Sequence, residues 1–137
     1  MYQKLIIAGY LGRDPEMRFT KDGTPVANFS VATSRKWTGK DSVKHDETTW
    51  FRVSAWRKLG EVCAEYLQKG HPVLIEGRLN ADENGNPRIW TDKNDNPRAS
   101  FEITAETVQF LGGRNDSGGN VSEGPPAADE SSPEIPF

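Results

Sequence analysis

Trp50, Arg52 and Trp56 stand at even spacing in a segment that alternates between apolar and polar side chains. Residues at even spacing in an extended strand point to the same face, so these three share a face opposite the apolar one. A base stacked on an indole contributes about 1–3 kcal/mol, and every base has a π-face for that contact. The pattern therefore predicts a surface that stacks unpaired bases, with Arg52 and Arg57 adding phosphate or cation–π contacts. The alternative is that both tryptophans pack at a subunit interface or beneath a loop.

Two further tryptophans lie at the ends of long polar segments and have basic residues nearby in sequence. An aromatic ring and positive charge on a mobile loop suit contact with a flexible polynucleotide strand. The alternative, for either loop taken alone, is a tryptophan that folds back on its own loop. The residues concerned are Trp37 with Arg35, Lys36 and Lys40, and Trp90 with Arg88 and Lys93.

Catalysis has no comparable support in the sequence. His45, His71 and Cys63 lack the spacing of a metal site, and no serine or cysteine has a nearby base to activate it. Asp82 and Glu83 could hold Mg²⁺ as nuclease carboxylates do, but adjacent acids beside Asn-Gly are typical of a solvated turn. We therefore expect a binding protein that is not an enzyme, with no metal and no cofactor.

The elements that must position these residues follow from periodicity and turn signals. Between the third and fourth strand-like segments, an apolar stripe that starts at Leu59 predicts a helix ending at Gly70. Residues 38–46 and 81–98 are polar and are expected to be loops, and we expect no internal repeat. The segments that alternate like strands are residues 4–11, 26–37, 48–56, 73–79 and 100–111.

This order of elements predicts a fold class. Five short strands with one helix between strands 3 and 4 make a mainly β chain, and the order is typical of the five-stranded oligonucleotide-binding (OB) barrel. Other small barrels share the same order of elements. The order alone therefore favours the OB barrel without excluding those folds.

Charge and composition divide the chain into two parts. All 17 Lys and Arg lie within residues 4–114 together with 15 of the 20 Asp and Glu, so that stretch carries +2, whereas residues 115–137 carry −5. After Gly112 the chain is rich in Gly, Ser, Pro, Asp and Glu, a composition that cannot bury enough apolar surface to become ordered. We therefore predict an OB domain over residues 1–112 and a disordered acidic tail over residues 113–137.

The end of the tail resembles a short peptide ligand. Acidic residues precede two bulky apolar residues, and a partner could seat the terminal aromatic ring in an apolar pocket and meet the charge with a basic side chain. The alternative is a tail that serves only solubility. The predicted partner-binding residues are Asp129, Glu130, Glu134, Ile135, Pro136 and Phe137.

Targeting signals also set an expectation. No window approaches the apolar length of a membrane span, and the apolar run near Leu5 is too short for a signal peptide. A single cysteine, Cys63, fits a reducing compartment. We expect a soluble, cytoplasmic, nucleoid-associated protein.

Several motifs taken together resemble the bacterial single-stranded DNA-binding protein family, over residues 2–112 and the last few residues of the chain. The resemblance implies an OB barrel assembled as a homotetramer around which DNA wraps, with base stacking at the positions of Trp37, Trp50, Trp56 and Trp90. Trp56 stands where the family often has phenylalanine. The motifs lie at residues 11–16, 26–33, 49–53, 59–70 and 73–79.

The sequence departs from the family pattern at two places. Pro133 precedes Glu134, so fewer acids lie directly before the terminal motif, and the segment 81–98 is longer than in many members. The first weakens the electrostatic attraction expected for partners. The second lies in the segment that carries Trp90, whereas Trp50 lies within a motif that resembles the family.

The function expected from these features is binding and protection of single-stranded DNA, without strong sequence specificity, during replication, recombination and repair. Partner enzymes would be recruited through the end of the tail. The alternatives are a dimeric primosome accessory protein without such a tail, a metal-dependent nuclease, and an RNA chaperone of the cold-shock type. An aromatic platform does not by itself sense the 2′-OH of RNA.

Overall fold

Eight strands and one helix make up residues 1–112, the part of the chain that the computed structural model describes. The predicted tail and all six of its partner-binding residues lie outside the described residues. The elements are β1 (Leu5–Leu11), β2 (Glu16–Phe19), β3 (Pro25–Thr38), β4 (Lys44–Trp56), α1 (Arg57–Tyr66), β5 (Pro72–Leu79), β6 (Ile89–Thr91), β7 (Pro97–Ala99) and β8 (Phe101–Phe110).

Five of the strands close into a barrel. Their order is β1-β5-β8-β4-β3, and β1 pairs back onto β3 through Tyr10↔Ala32 and Leu11↔Val31. The pairs are antiparallel except for β4 and β8, which run parallel. Along the chain α1 lies between the third and fourth barrel strands, β4 and β5. The predicted fold class, a five-stranded OB barrel with this helix position, is confirmed.

The barrel is filled by the apolar residues that alternate inward along its strands. Val31, Val53, Val73, Ile75 and Ile103 are almost fully buried, as alternation in half-buried strands requires. The helix α1 packs against the same core through Cys63 and ends at Tyr66, so the predicted end at Gly70 is wrong. Leu67 is extended and closes the helix with its backbone N–H on the Cys63 carbonyl, while its side chain is buried in the core. Burial raises the pKa of the Cys63 thiol to about 11, so Cys63 is a neutral packing residue at physiological pH.

The hairpin β3–β4 extends beyond the barrel, and the predicted loop over residues 38–46 is wrong in its bounds. The turn occupies only residues 39–43, closed by the bond from the Gly39 N–H to the Val43 carbonyl at 2.9 Å. The part of the hairpin beyond the barrel has both faces exposed. It therefore lacks the alternation of apolar and polar residues that predicts a strand. Cross-strand side-chain contacts such as the ion pair of Arg35 with Glu47, at 3.2 Å, accompany its pairing.

Three short strands are absent from the sequence prediction. Strand β2 pairs with β3 at an edge of the sheet, from Glu16↔Asn28 to Phe19↔Pro25. Strands β6 and β7 form a ribbon inside the segment expected to be a loop, with Trp90 opposite Arg98. Among the helices of the described residues, none combines the length and apolar character that crossing a membrane requires.

Candidate nucleic-acid interface

The outer face of β4 carries the row of side chains from which the site is built. Trp50, Arg52, Ser54 and Trp56 alternate with the buried Val53 and Ala55, so strand geometry turns them away from the core. The side chain of Trp50 is 52% exposed and that of Trp56 is 39% exposed. The structure therefore places Trp50, Arg52 and Trp56 on one accessible face.

A groove of about 640 Å³ lies beside this row and is lined by four arginines among other residues. Arg18 pairs with Glu16 at 3.4 Å and Arg88 pairs with Glu102 at 3.6 Å. Within residues 1–112 neither Arg13 nor Arg52 forms an ion pair, so their guanidinium groups are available to an anionic ligand. Below, "the groove" means the concave surface bounded by Arg13, Arg18, Asn28, Arg52, Ser54 and Arg88.

Arg13 and Arg18 were not among the residues predicted from the sequence. Arg13 follows β1 in the bend before Asp14, and Arg18 lies on β2, a strand that the alternation of apolar residues does not indicate. The sequence signal that was present is the cluster of two arginines within six residues of each other on either side of Pro15. Only the pairing of β2 with β3 shows that this cluster faces the groove.

The Trp50 indole lies over the backbone of Gly12. A Cβ atom at residue 12 would stand 2.5 Å from Cζ3 and 2.8 Å from Cη2 of Trp50, distances that real side chains do not occupy. A glycine at this position therefore makes room for the ring. It lets the indole lie close against the end of β1 while about half of the side chain stays exposed.

Trp56 ends β4 and is the residue from which the helix α1 starts. Its register partner on β3 is Val26, which is buried although it lies on the outer face. Arg57 follows with φ of 58°, a left-handed conformation that is unfavourable for a side chain with a Cβ. This sharp change of direction leaves Arg57 exposed next to Trp56.

Trp90 is tied to the barrel rather than free on a loop. We refer to residues 81–99, which include β6 and β7, as the arm. The indole Nε1–H of Trp90 donates to Ser100 Oγ at 3.3 Å, and the guanidinium carbon of Arg52 lies 5.8 Å from the Trp90 ring centre. Together with the pair of Arg88 and Glu102, these contacts bring Trp90 and Arg88 to the face that carries Arg52.

Trp37 belongs to a second cluster, on the hairpin beyond the barrel. Trp37 lies an even number of residues after Val31 on β3, so the two side chains point to the same face. Trp50 is paired with Ala32 and therefore lies on the opposite face of the ribbon. The Trp37 ring stacks on His45 with centroids 5.1 Å apart and has the guanidinium of Arg35 at 4.3 Å. The structure therefore does not bring Trp37 and Arg35 into the groove. Lys36 lies on the ribbon face that Trp50 shares, but it does not line the groove either.

The expectation of no internal repeat is wrong for the arm. The pattern Asp-x-Asn-x-Asn-Pro-Arg occurs at residues 82–88 and again at residues 92–98. In each copy the aspartate carboxylate accepts the backbone N–H groups of both asparagines, at 2.8–2.9 Å around Asp82 and 2.8–3.0 Å around Asp92. The repeat gives two turns of the same hydrogen-bonding pattern, one on either side of Trp90.

The acidic residues of the arm act within these turns. Asp82 Oδ1 accepts two backbone N–H groups, and Asp92 also accepts from Arg98 Nε at 2.8 Å, a contact that with the Asn96 and Asn94 N–H groups lowers the pKa of Asp92 below its ordinary value. Among the described residues no group of three or more His, Cys, Asp or Glu side chains could hold a metal ion.

The sequence is similar to proteins of one known family. The model of the Single-strand binding protein family matches residues 2–111. A Neisseria meningitidis (serogroup A) protein named single-stranded DNA-binding protein is 39% identical over 118 residues, which are 86% of this chain and 64% of that protein's length. A Xylella fastidiosa protein named single-stranded DNA-binding protein 1 is 40% identical over 124 residues, with 88% of this chain and 87% of that protein covered.

Solved structures agree in fold. A chain of the Plasmodium falciparum SSB complex with ssDNA superposes with a TM-score of 0.68 at 25% identity, covering 82% of this chain and 97% of the other. The small single-stranded DNA-binding protein from Streptomyces coelicolor superposes with a TM-score of 0.65 at 24% identity, covering 80% and 95% of the two chains, a likeness of fold alone. The chain spans 64% of the Neisseria relative's length.

Proposed function

Because the chain belongs to the single-strand binding protein family, we propose that it binds single-stranded DNA without strong sequence preference and protects it during replication, recombination and repair. The observation that carries the proposal is the exposed row of Trp50, Arg52 and Trp56 beside a groove lined with arginines. The protein acts as a binding protein rather than an enzyme, in the cytoplasm and on the nucleoid, where such DNA arises in bacteria.

The chemistry of the row explains selectivity for single strands. In a duplex the base faces are stacked on one another, whereas an unpaired strand can place its bases on Trp50 and Trp56. The π-face is common to all bases, so stacking tolerates any sequence, while Arg13 and Arg52 meet phosphates. Trp90 adds a third ring, held near Arg52 by the arm.

The experiment that tests this function is fluorescence titration with an unstructured single strand. Stacking should quench indole emission, and Trp50→Ala and Trp56→Ala should each weaken binding by about 1–3 kcal/mol. Tyr66→Ala is the matched control, because Tyr66 is an exposed aromatic residue on α1 that lies beside Phe110 and not on the outer face of β4. Unchanged affinity in both folded tryptophan variants would assign these residues a structural role.

Competition assays separate the nucleic-acid classes. Duplex DNA of the same length should compete weakly, and an RNA strand of equal length tests the alternative of an RNA chaperone. Preferential binding of the RNA strand would contradict the proposed function. Incubation of the DNA with Mg²⁺ should leave it intact, and degradation would favour a nuclease.

We propose that the chain assembles into a homo-oligomer, a tetramer as in the family pattern. The outer face of β1 and β5 supports this proposal, because Ile6 and Tyr10 are 59% and 61% exposed there and Ala8 lies opposite Leu74. Exposed apolar surface of this kind marks an interaction site in a soluble protein. Ile6, Ala8 and Tyr10 do not line the groove, so assembly through the outer face of β1 and β5 leaves its arginines accessible.

We also propose that residues 113–137 form a separate acidic segment whose end recruits replication, recombination and repair proteins. The support is the sequence, in which Asp129, Glu130 and Glu134 precede Ile135-Pro136-Phe137. Apolar side chains would fill a pocket on the partner and the acids would meet basic residues.

Deletion of residues 129–137 should leave DNA affinity unchanged or slightly increased, and should abolish pull-down of replication and repair enzymes from a lysate. Two finer variants separate the contributions. Replacing Ile135 and Phe137 by serine removes the apolar anchors, whereas replacing Asp129, Glu130 and Glu134 by their amides removes only charge. A truncated protein that keeps all its partners would contradict the proposed role of the tail. One that loses DNA affinity would show that the tail takes part in DNA binding.

A further inference from the structure

An acidic side chain lies inside the arginine-lined groove. Glu102 is on the outer face of β8, where the parallel pairing of β8 with β4 puts it in register with Arg52. It lines the groove together with Arg52 and Arg88, and its side chain is only 15% exposed. A carboxylate at this place repels the phosphates that the groove is proposed to bind, so its presence requires an explanation.

The counterion of Glu102 comes from the arm. Arg88 Nη1 lies 3.6 Å from Glu102 Oε1, a separation longer than the about 3 Å of a hydrogen bond. The pair is therefore held by charge attraction without a directed hydrogen bond between these two atoms. On the same arm, Arg98 Nε donates to Asp92 Oδ2 at 2.8 Å, which is a shorter and more directional contact. Of these two arginines, Arg88 is the easier to withdraw from its carboxylate.

Two other acids line the groove, but neither is placed as Glu102 is. The Glu16 side chain is 67% exposed and pairs with Arg18 along the same strand, so water screens its charge. The Asp14 carboxylate accepts the backbone N–H of Lys69 at 2.8 Å, which ties it to the segment after α1. Glu102 alone among the three is partly buried, and charge interactions are stronger where water is partly excluded.

A phosphate that enters the groove and the Glu102 carboxylate use the same donors of Arg88. A guanidinium group meets either anion through its N–H groups. When Arg88 turns to a phosphate it gives up Glu102, and the carboxylate is left partly buried without its counterion. The unpaired carboxylate then attracts a cation from solution. The free energy that Arg88 gains from DNA is therefore the difference between two similar contacts.

We propose that Glu102 is an affinity-determining residue that competes with the DNA phosphates for Arg88. The inference rests on the proposed binding of single-stranded DNA and concerns how tight and how salt-dependent that binding is. Because Arg88 exchanges one anion for another, its contact with DNA adds little to the affinity. The cation taken up at Glu102 offsets the counterion released from the phosphate, so the contact also adds little to the salt dependence. The same exchange detaches the arm at one of its contacts with the barrel.

Glu102→Gln in the full chain tests the proposal, because glutamine keeps the shape of the side chain and removes its charge. The affinity for one oligodeoxythymidine strand is measured at several salt concentrations. We expect Glu102→Gln to bind about two- to fivefold more tightly at low salt and to lose affinity more steeply as salt is added. The slope of log K against log salt should steepen by about 0.7, the value of one additional phosphate contact.

Arg88→Ala separates this exchange from a general effect of charge. In the parent chain the change should lower affinity by less than about twofold and leave the slope nearly unaltered. In the Glu102→Gln background it should remove both the gain in affinity and the added slope. Glu65→Gln removes the same charge from an exposed position on α1 that does not line the groove, and should leave the slope as it is in the parent chain. Thermal unfolding of each variant checks that it is folded.

Several results would overturn the proposal. Weaker binding or a shallower slope in folded Glu102→Gln would show that Glu102 positions Arg88 for DNA rather than competing with it. An unchanged slope in that variant, or a slope that changes equally with and without Arg88, would show that no exchange occurs.

If Glu102→Gln does not fold, Arg88→Ala in the parent chain still decides. A slope shallower by about 0.7 in that variant would mean that Arg88 meets a phosphate without giving up a cation-binding partner, which contradicts the exchange. All of these results differ from a parent chain that binds no single strand, which would instead contradict the proposed function.

Discussion

The position of the Trp50 indole depends on the absence of a side chain at residue 12. The nearest ring carbon is 2.5 Å from the place where a Cβ would stand. A methyl group there would push the ring outward, at modest cost in stability because Trp50 is half exposed. The main effect would be on binding, because the displaced Trp50 ring would no longer lie where a base can stack on it.

We therefore expect Gly12→Ala to unfold at nearly the same temperature as the parent chain and to lose much of the about 1–3 kcal/mol that a stacked base contributes. The measurement is DNA affinity in a double-mutant cycle with Trp50→Ala. Once the indole is absent, the alanine at residue 12 has nothing to displace and should change affinity little. Additive losses would show that Gly12 acts through something other than Trp50.

The individual residues of the site were predictable where one face of a strand decides their direction. Alternation around the buried Val53 was enough to place Trp50, Arg52 and Trp56 on the outer face. It could not place Arg13 and Arg18, because they reach the groove through the bend after β1 and the pairing of β2. Their position depends on contacts between segments, which periodicity within one segment does not contain.

Among the elements, the arm shows how local hydrogen bonds replace a core. Asp92 accepts the N–H groups of Asn94 and Asn96 and the Nε–H of Arg98, at distances of 2.8–3.0 Å. These donors favour the ionised carboxylate, with the Arg98 bond first among them, and lower its pKa from the ordinary value of 3.8. The second turn therefore depends on the charge of Asp92.

The lowered pKa of Asp92 determines how the stability of the arm changes with pH. A carboxyl group whose pKa is lower in the folded arm stabilises the arm above the unfolded pKa, and the contribution is lost as pH falls through the lowered value. We expect the backbone amides of Asn94 and Asn96 to keep their folded chemical shifts at pH 5 and to lose them only below about 3.8. Proton NMR across this range measures the transition directly.

Asp92→Ala should accelerate exchange of those two amides at neutral pH and weaken DNA binding by less than Trp90→Ala does. The matched control is Asp82→Ala, which opens the corresponding bonds of the first turn and should leave Asn94 and Asn96 protected. Equal protection in the parent chain and Asp92→Ala would mean that strand pairing alone holds the second turn.

The elements that bury apolar residues were predicted from the sequence, and those that do not were missed. The five barrel strands and α1 bury apolar residues, and their periodicity was correctly interpreted. The outer half of the β3–β4 hairpin and the ribbon β6–β7 bury almost nothing. Their order comes from cross-strand pairs and Asx turns between polar residues, which in a single sequence resemble a loop.

For the whole molecule, the barrel wall carries two surfaces of different character. One is the groove with its arginines, and the other is the apolar outer face of β1 and β5, where Tyr10 lies opposite Pro72. Because the residues of that apolar face do not line the groove, assembly and DNA binding can be tested separately.

Replacing Ala8 by arginine should introduce charge into the face of β1 and reduce the mass measured by light scattering towards the 15.2 kDa of one chain. Quenching of Trp50 and Trp56 by a short strand should persist, since the groove is unaltered. An exposed change elsewhere, Gln68→Arg, should leave the mass as it is in the parent chain. A parent chain that already has the mass of a single copy would contradict the proposed oligomer.

The repeated turn also bears on how this protein can change length during evolution. Each copy closes on itself, because Asp82 N–H donates to the Asn86 carbonyl and Asp92 N–H donates to the Asn96 carbonyl, at 2.8 and 3.0 Å. The copies are offset by ten residues and contribute nothing to the buried core, so losing one removes no residue from the barrel strands. We expect a chain without residues 82–91 to give up Trp90 and yet retain the amide-exchange protection of the barrel. Such a module can be duplicated or discarded while selection on the core continues undisturbed.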